Sequence, residues 1–150
     1  MASEDSKAVI NYAGDEFLIG ISPSGYALTL DTNHERNSAP TPMELLMIAL
    51  GGCTAVDVIS ILRKKREHVS SYQVQVRGKR RDDHPRSFQQ LQVHHIVRGD
   101  NVSEQAVIKA IELSETKYCS VAATLRPTAE IISSYEIVQE IAEGKGTSTT

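Results

Sequence analysis

The stretch that most constrains this chain runs from Thr41 to Leu62, TPMELLMIALGGCTAVDVISIL. It has a defined start. Thr41 can cap free amides, and Pro42 suits a first helical turn, where its missing N–H has no partner to lose. Glu44, three residues after Thr41, completes a capping box. Met43 to Leu50 is apolar nearly all round, which predicts a helix buried on several sides. Arg63-Lys64-Lys65-Arg66 then places cations where the helix dipole favours them, with the helix expected to end near His68.

Gly51-Gly52 interrupts this helix just before Cys53. Each mid-helix glycine costs roughly 1 kcal/mol relative to alanine. The expected return is a close approach of another element to the bare backbone. Asp57 follows Cys53 by one turn on the same face. A carboxylate in so apolar a helix needs a partner or a cleft.

On either side the period changes. Val9, Ile10 and Tyr12, then Phe17 to Ile21, predict two short strands about a Gly14-Asp15 turn, and Tyr26, Leu28 and Leu30 a third, half-buried one. A polar loop, 32–40, leads to the Thr41 cap. Tyr72, Val74 and Val76 alternate as a strand, as do Leu91, Val93, His95 and Val97, with a charged connector between them. Ser103 can cap a second helix, in which Val107, Ala110, Ile111 and Ser114 recur at three-to-four spacing. Cys119 to Leu125 reads as a short helical turn ended by Pro127, which would put Cys119 near free N–H groups that favour a thiolate. A last strand is expected over 130–141. The order predicts an α+β fold, with helices covering an antiparallel sheet. Residues 1–7 and 142–150 read as a disordered start and a flexible tail around a single domain, 8–141.

At 150 residues, that domain can bury about two-thirds of its unfolded surface. The net charge of -3 argues against nonspecific nucleic-acid binding, and Lys79-Arg80-Arg81 is offset at once by Asp82-Asp83. No apolar run approaches the roughly 18 residues of a membrane span. The acidic N-terminus lacks the layout of a signal peptide, so a reducing cytoplasm is the expected compartment for the two cysteines.

Those cysteines carry the available nucleophilic and redox chemistry. A thiol–peroxide cycle needs one thiolate to attack oxygen and a second thiol to condense with the sulfenic acid. Cys53 and Cys119 meet that demand in number, although buried cysteines also serve as small hydrophobes. Asp57 opposes thiolate formation at Cys53 unless a cation intervenes. His94 and His95 point to opposite faces of a strand, so no ordinary metal site joins them, and His95 reads as a hydrogen-bonded core residue. No metal or organic cofactor is expected.

Pro42-Met43-Glu44-Leu45-Leu46, then Ala49-Leu50-Gly51-Gly52-Cys53-Thr54, with Cys119-Ser120-Val121 late in the chain, resembles the OsmC/Ohr family of osmotically inducible and organic-hydroperoxide-resistance proteins. The Gly-Gly-Cys-Thr…Asp57 version is similar to its YhfA-like branch. The resemblance implies an OsmC-like fold, antiparallel sheets wrapped around long central helices in an intertwined homodimer. It implies Cys53 as the attacking thiol, Cys119 as the resolving thiol, and reduction by a small dithiol or a lipoylated protein. Peroxidases of the family place a glutamate directly after the helix-opening proline and an arginine in an early strand. Here Met43 holds the first position and no arginine precedes Arg36, which lies in a loop and is the available charge partner, with Asp57 shaping the pocket. The other reading is a dimeric, weakly catalytic or non-catalytic binding protein for an apolar small molecule.

Overall fold

The computed structural model describes residues 5–141; most of the expected start and all of the expected tail lie outside them. The chain divides into two compact units, with the boundary between Leu46 and Met47.

The first unit is a three-stranded antiparallel sheet, β1 (Val9–Gly14), β2 (Phe17–Ile21) and β3 (Ala27–Asp31), followed by a loop and the start of α1 (Pro42–Lys64). The β1–β2 turn sits one residue later than expected: Asp15 and Glu16 take the positive φ values, 48° and 61°, that a tight hairpin demands. The 32–40 loop is held by Asp31. Its carboxylate takes two hydrogen bonds from the Arg36 guanidinium, at 2.9 and 2.8 Å, and others from Asn33 and Ser38. Arg36 lowers the Asp31 carboxyl well below the usual carboxylate range, outweighing the opposing effect of burial. The capping box forms as the sequence spells it. The Thr41 amide donates to Glu44 Oε2 at 2.7 Å, and the Glu44 amide to Thr41 Oγ1 at 3.3 Å.

The second unit packs α1 and α2 (Glu104–Leu113) on a sheet of β4 (His68–Arg80), β5 (Phe88–Asp100) and β6 (Glu130–Gln139). Its core joins Val58 and Leu62 of α1 to Val97 of β5 and to Ala106, Val107, Ala110 and Ile111 of α2. The α2 cap is as expected, Ser103 Oγ accepting from the Ala106 amide. The architecture is the expected α+β fold with one difference of strand direction. β6 runs parallel to β5, because α2 and the helical segments after it return the chain across the sheet before β6 begins. The chain also leaves α1 earlier than expected, at Lys64, with Arg66 at φ 59° and β4 starting at His68.

Gly51 provides the close approach anticipated for it: a Cβ there would stand 3.1 Å from Val76 Cγ2. Gly52 does not, since nothing lies within 4 Å of its Cβ direction. Nor is α1 buried on several sides within this chain. Leu50, Gly51, Thr54, Val58 and Leu62 form one buried stripe, whereas Ile48 is 62% and Val56 67% exposed. The expectation that nothing here is long and apolar enough to cross a membrane is also corrected, because α1 is so by length and composition, with mean hydropathy 2.2. Glycine, threonine and cysteine break the apolar run but barely lower that mean. The buried stripe facing β4 and β5 marks it as a core helix.

His95 is a core residue, as its strand parity indicates. It is wholly buried, with Nδ1 2.6 Å from the Tyr72 hydroxyl. Burial first, and His94 second, push its pKa down to about 4. The unfolded chain therefore takes up this proton near pH 6.5 and the folded chain only near pH 4, so stability falls as pH drops through that window. Urea unfolding from pH 7 to 4 should show a loss of about 3 kcal/mol from this group. A His95→Leu chain should lack that part of the slope; an identical slope in both would contradict a neutral buried ring.

Candidate active site

Cys53 projects from the middle of α1, one residue before the buried Thr54 and one turn before Asp57. Cys119 arrives from the other side of the sequence, and the local structure explains how. After Leu113 the chain widens into a single π-helical turn, Ser114–Tyr118, closed by the Cys119 amide donating to the Ser114 carbonyl at 2.8 Å. Such turns re-aim the residues that follow them. Cys119 then takes extended backbone angles and caps α3 (Ser120–Leu125), its Sγ accepting from the Ala122 amide at 3.4 Å.

The result brings Cys53, Asp57 and Cys119 together. One Sγ from each cysteine and a carboxylate oxygen of Asp57 all lie within 4.8 Å of one another. Cys53 and Asp57 are half-buried, while Cys119 is 4% exposed. Both thiols are free. The anticipated N–H donor to Cys119 is present, but it does not yield an acidic thiol. Burial pushes the Cys119 pKa up to about 11; the Ala122 amide pulls the other way, and Cys53 and Asp57 add to the rise.

Ser114 is the site residue that helical periodicity did not reveal as more than a core position. It is wholly buried, and its hydroxyl donates to Asp57 Oδ2 at 2.8 Å. Its single proton being spent there, it accepts from Thr54 Oγ1 at 3.0 Å. One side chain thus ties α1 to the π-helical turn, and the same residue's carbonyl positions Cys119. The signal available in the sequence was a serine on the apolar stripe of an amphipathic helix. Beside this site, burial first, and then the Asp57 charge, raise the pKa of the Tyr72 hydroxyl, which pairs with His95.

Arg36 is placed in the first unit. Nε and Nη2 donate to Asp31, while Nη1 donates to Asp15 Oδ2 at 2.8 Å and Nη2 to the Asp15 carbonyl at 2.7 Å. Glu44 is likewise committed, to Thr41 in the capping box.

A family model described as OsmC-like protein matches residues 35–134, a span that contains Cys53, Asp57, Ser114 and Cys119. The chain belongs to the OsmC-like family. Among similar proteins is Protein YhfA of Escherichia coli K12, 42% identical over 120 residues, covering 80% of this chain and 89% of that one. A solved hypothetical protein from Aquifex aeolicus superposes with a TM-score of 0.82 at 29% identity, over 93% of this chain and all of its own. The organic hydroperoxide resistance protein OhrB of Bacillus subtilis shares the fold, with a TM-score of 0.60 at 11% identity over 88% of this chain and 98% of its own.

Within this OsmC-like site, Ser114→Ala leaves the Asp57 and Thr54 oxygens without their buried partner. It should cost about 1–3 kcal/mol of stability. Adding Thr54→Val should cost less than its effect alone, because the two hydroxyls share one bond. Additive losses in urea unfolding would contradict the network.

Proposed function

We propose that this OsmC-like protein reduces organic hydroperoxides through a two-cysteine cycle, and the observation that carries the reading is the approach of the two sulfurs within 4.8 Å. The Cys53 thiolate attacks the peroxide; an S–O bond forms, the O–O bond breaks, and an alcohol leaves with a proton. The Cys119 thiol then attacks the sulfenic sulfur, forming the disulfide and releasing water. The unequal burial of the two thiols supports this division of roles. Cys53 is the less buried of the two, and Cys119 is held back by burial and a raised pKa. A small dithiol or a lipoylated protein, in a reducing cytoplasm, returns the disulfide to two thiols.

Asp57 shapes this site from the Ser114 side. Arg36 is the proposed charge partner of the thiolate, a role that requires its guanidinium to give up Asp31 or Asp15. Met43 stands where family peroxidases carry glutamate, so the attacking thiolate here relies on fewer polar neighbours. That departure favours slow turnover and keeps a second reading in view, a binding protein for an apolar small molecule. The two are separated by one titration. Reduced protein given excess alkyl hydroperoxide should lose both thiols of each chain; the Cys53→Ser chain should lose none, and the Cys119→Ser chain should stop at a sulfenic acid trapped by dimedone. Thiols that survive the peroxide would sink the redox cycle and favour the binding reading.

The working form we propose is a homodimer. Ile48, Gly52 and Val56 follow one another at four-residue spacing along α1, so the two exposed apolar side chains flank a glycine with open space before it. A second α1 laid along this stripe would give Gly52 the close neighbour that its own chain does not. Val9, Ile10, Tyr12 and Tyr26 add exposed apolar surface in the first unit. Light scattering should find a dimer at micromolar concentration, reduced to a monomer by Ile48→Asp. A monomeric parent chain would contradict this assembly.

A further inference from the structure

We propose that Cys53, Asp57 and Cys119 also form a binding site for a thiophilic divalent cation of the zinc class, and that filling it competes with joining the two sulfurs. The donor set is two thiols and one carboxylate, drawn from α1 and from the turn after α2, and among the described residues it is the one group of three such side chains that converges. Zinc takes thiolate sulfur at about 2.3 Å and carboxylate oxygen at about 2.0–2.2 Å, in tetrahedral geometry. Two sulfurs on one such ion stand about 3.8 Å apart. The donor atoms here already lie within 4.8 Å of one another, so small side-chain rotations bring them onto a common ion. Three protein donors leave a fourth corner for water or an incoming ligand.

The surroundings favour this use. Ser114 donates to Asp57 Oδ2 at 2.8 Å, an outer hydrogen bond that fixes a ligating carboxylate while its other oxygen stays available. Charge gives the second argument. No lysine, arginine or histidine of the second unit pairs with Asp57 among the described residues, so no protein cation already occupies its carboxylate. A divalent cation supplies that missing charge: each thiol gives up a proton as its sulfur takes the metal, so two protons leave per ion. A disulfide uses the same two sulfurs as one covalent pair, leaving only the carboxylate. Bound metal and disulfide are therefore mutually exclusive. Metal binding stands on the donor geometry alone; its protective effect on the thiols rests on the redox reading above.

Cobalt(II) is the probe. The reduced full-length protein, freed of reductant, should take up one Co2+ per chain, with a thiolate-to-cobalt charge-transfer band and the visible bands of a tetrahedral site, both bleached by Zn2+. Cys53→Ser should abolish the band, and Asp57→Asn and Ser114→Ala should each weaken binding about tenfold or more, with far-ultraviolet circular dichroism confirming that each folds. Parent protein oxidised by diamide, which needs no substitution, should take up none. Absence of the band in reduced protein, or equal affinity in the Asp57→Asn chain, would overturn the proposal. With a chelator added to the peroxide titration, failure of metal binding leaves the thiol-loss result intact, and the reverse also holds.

Discussion

The site depends on one buried hydroxyl. Ser114 donates to Asp57 on the central helix, accepts from Thr54 one turn earlier, and offers its carbonyl to the amide of Cys119. Those three bonds pull the end of α2 against the middle of α1. They also set the wide turn from which Cys119 emerges, pointing back toward Cys53. A wholly buried serine whose hydroxyl both donates and accepts costs little to bury; one that loses a partner is expensive. This coupling is why a residue with no chemistry of its own decides where the two sulfurs stand.

Much of the frame was legible in the residues, because local physics dictates it. The capping box at Thr41, the alternation of Leu91, Val93, His95 and Val97, and the Ser103 cap all depend on neighbours a few positions away. Three features were not legible for the same reason inverted. The direction of β6 depends on a crossover, not on its own pattern. The π-helical turn at Ser114–Tyr118 has no compositional mark, since it differs from an α-turn by one extra residue in the bonding ring. The exposed Ile48 lies in the Met43–Leu50 stretch that reads as buried on several sides, and a periodicity argument cannot tell a core within one chain from a face awaiting a second. The meeting of Cys53 with Cys119 belongs to this group as well: no spacing rule reaches so far along a chain, and the expectation came from the family resemblance.

Two candidate groups, Arg36 and Glu44, have structural duties in the first unit, one pinning the 32–40 loop to Asp31 and the other closing the helix cap. Among the described residues of the second unit, Asp57 is the carboxylate that converges with the two thiols. Burial first, with the Cys53 thiol and the Asp57 charge adding to it, raises the Cys119 pKa.

The most direct test of the central claim is to locate the bond that forms when the reduced protein is oxidised by diamide, using intact-mass analysis and non-reducing peptide mapping. Sulfurs this close should give a Cys53–Cys119 link inside one chain, with the loss of two hydrogens per chain and no covalent dimer. A link between chains, or two thiols that remain free, would contradict the geometry on which every functional statement rests.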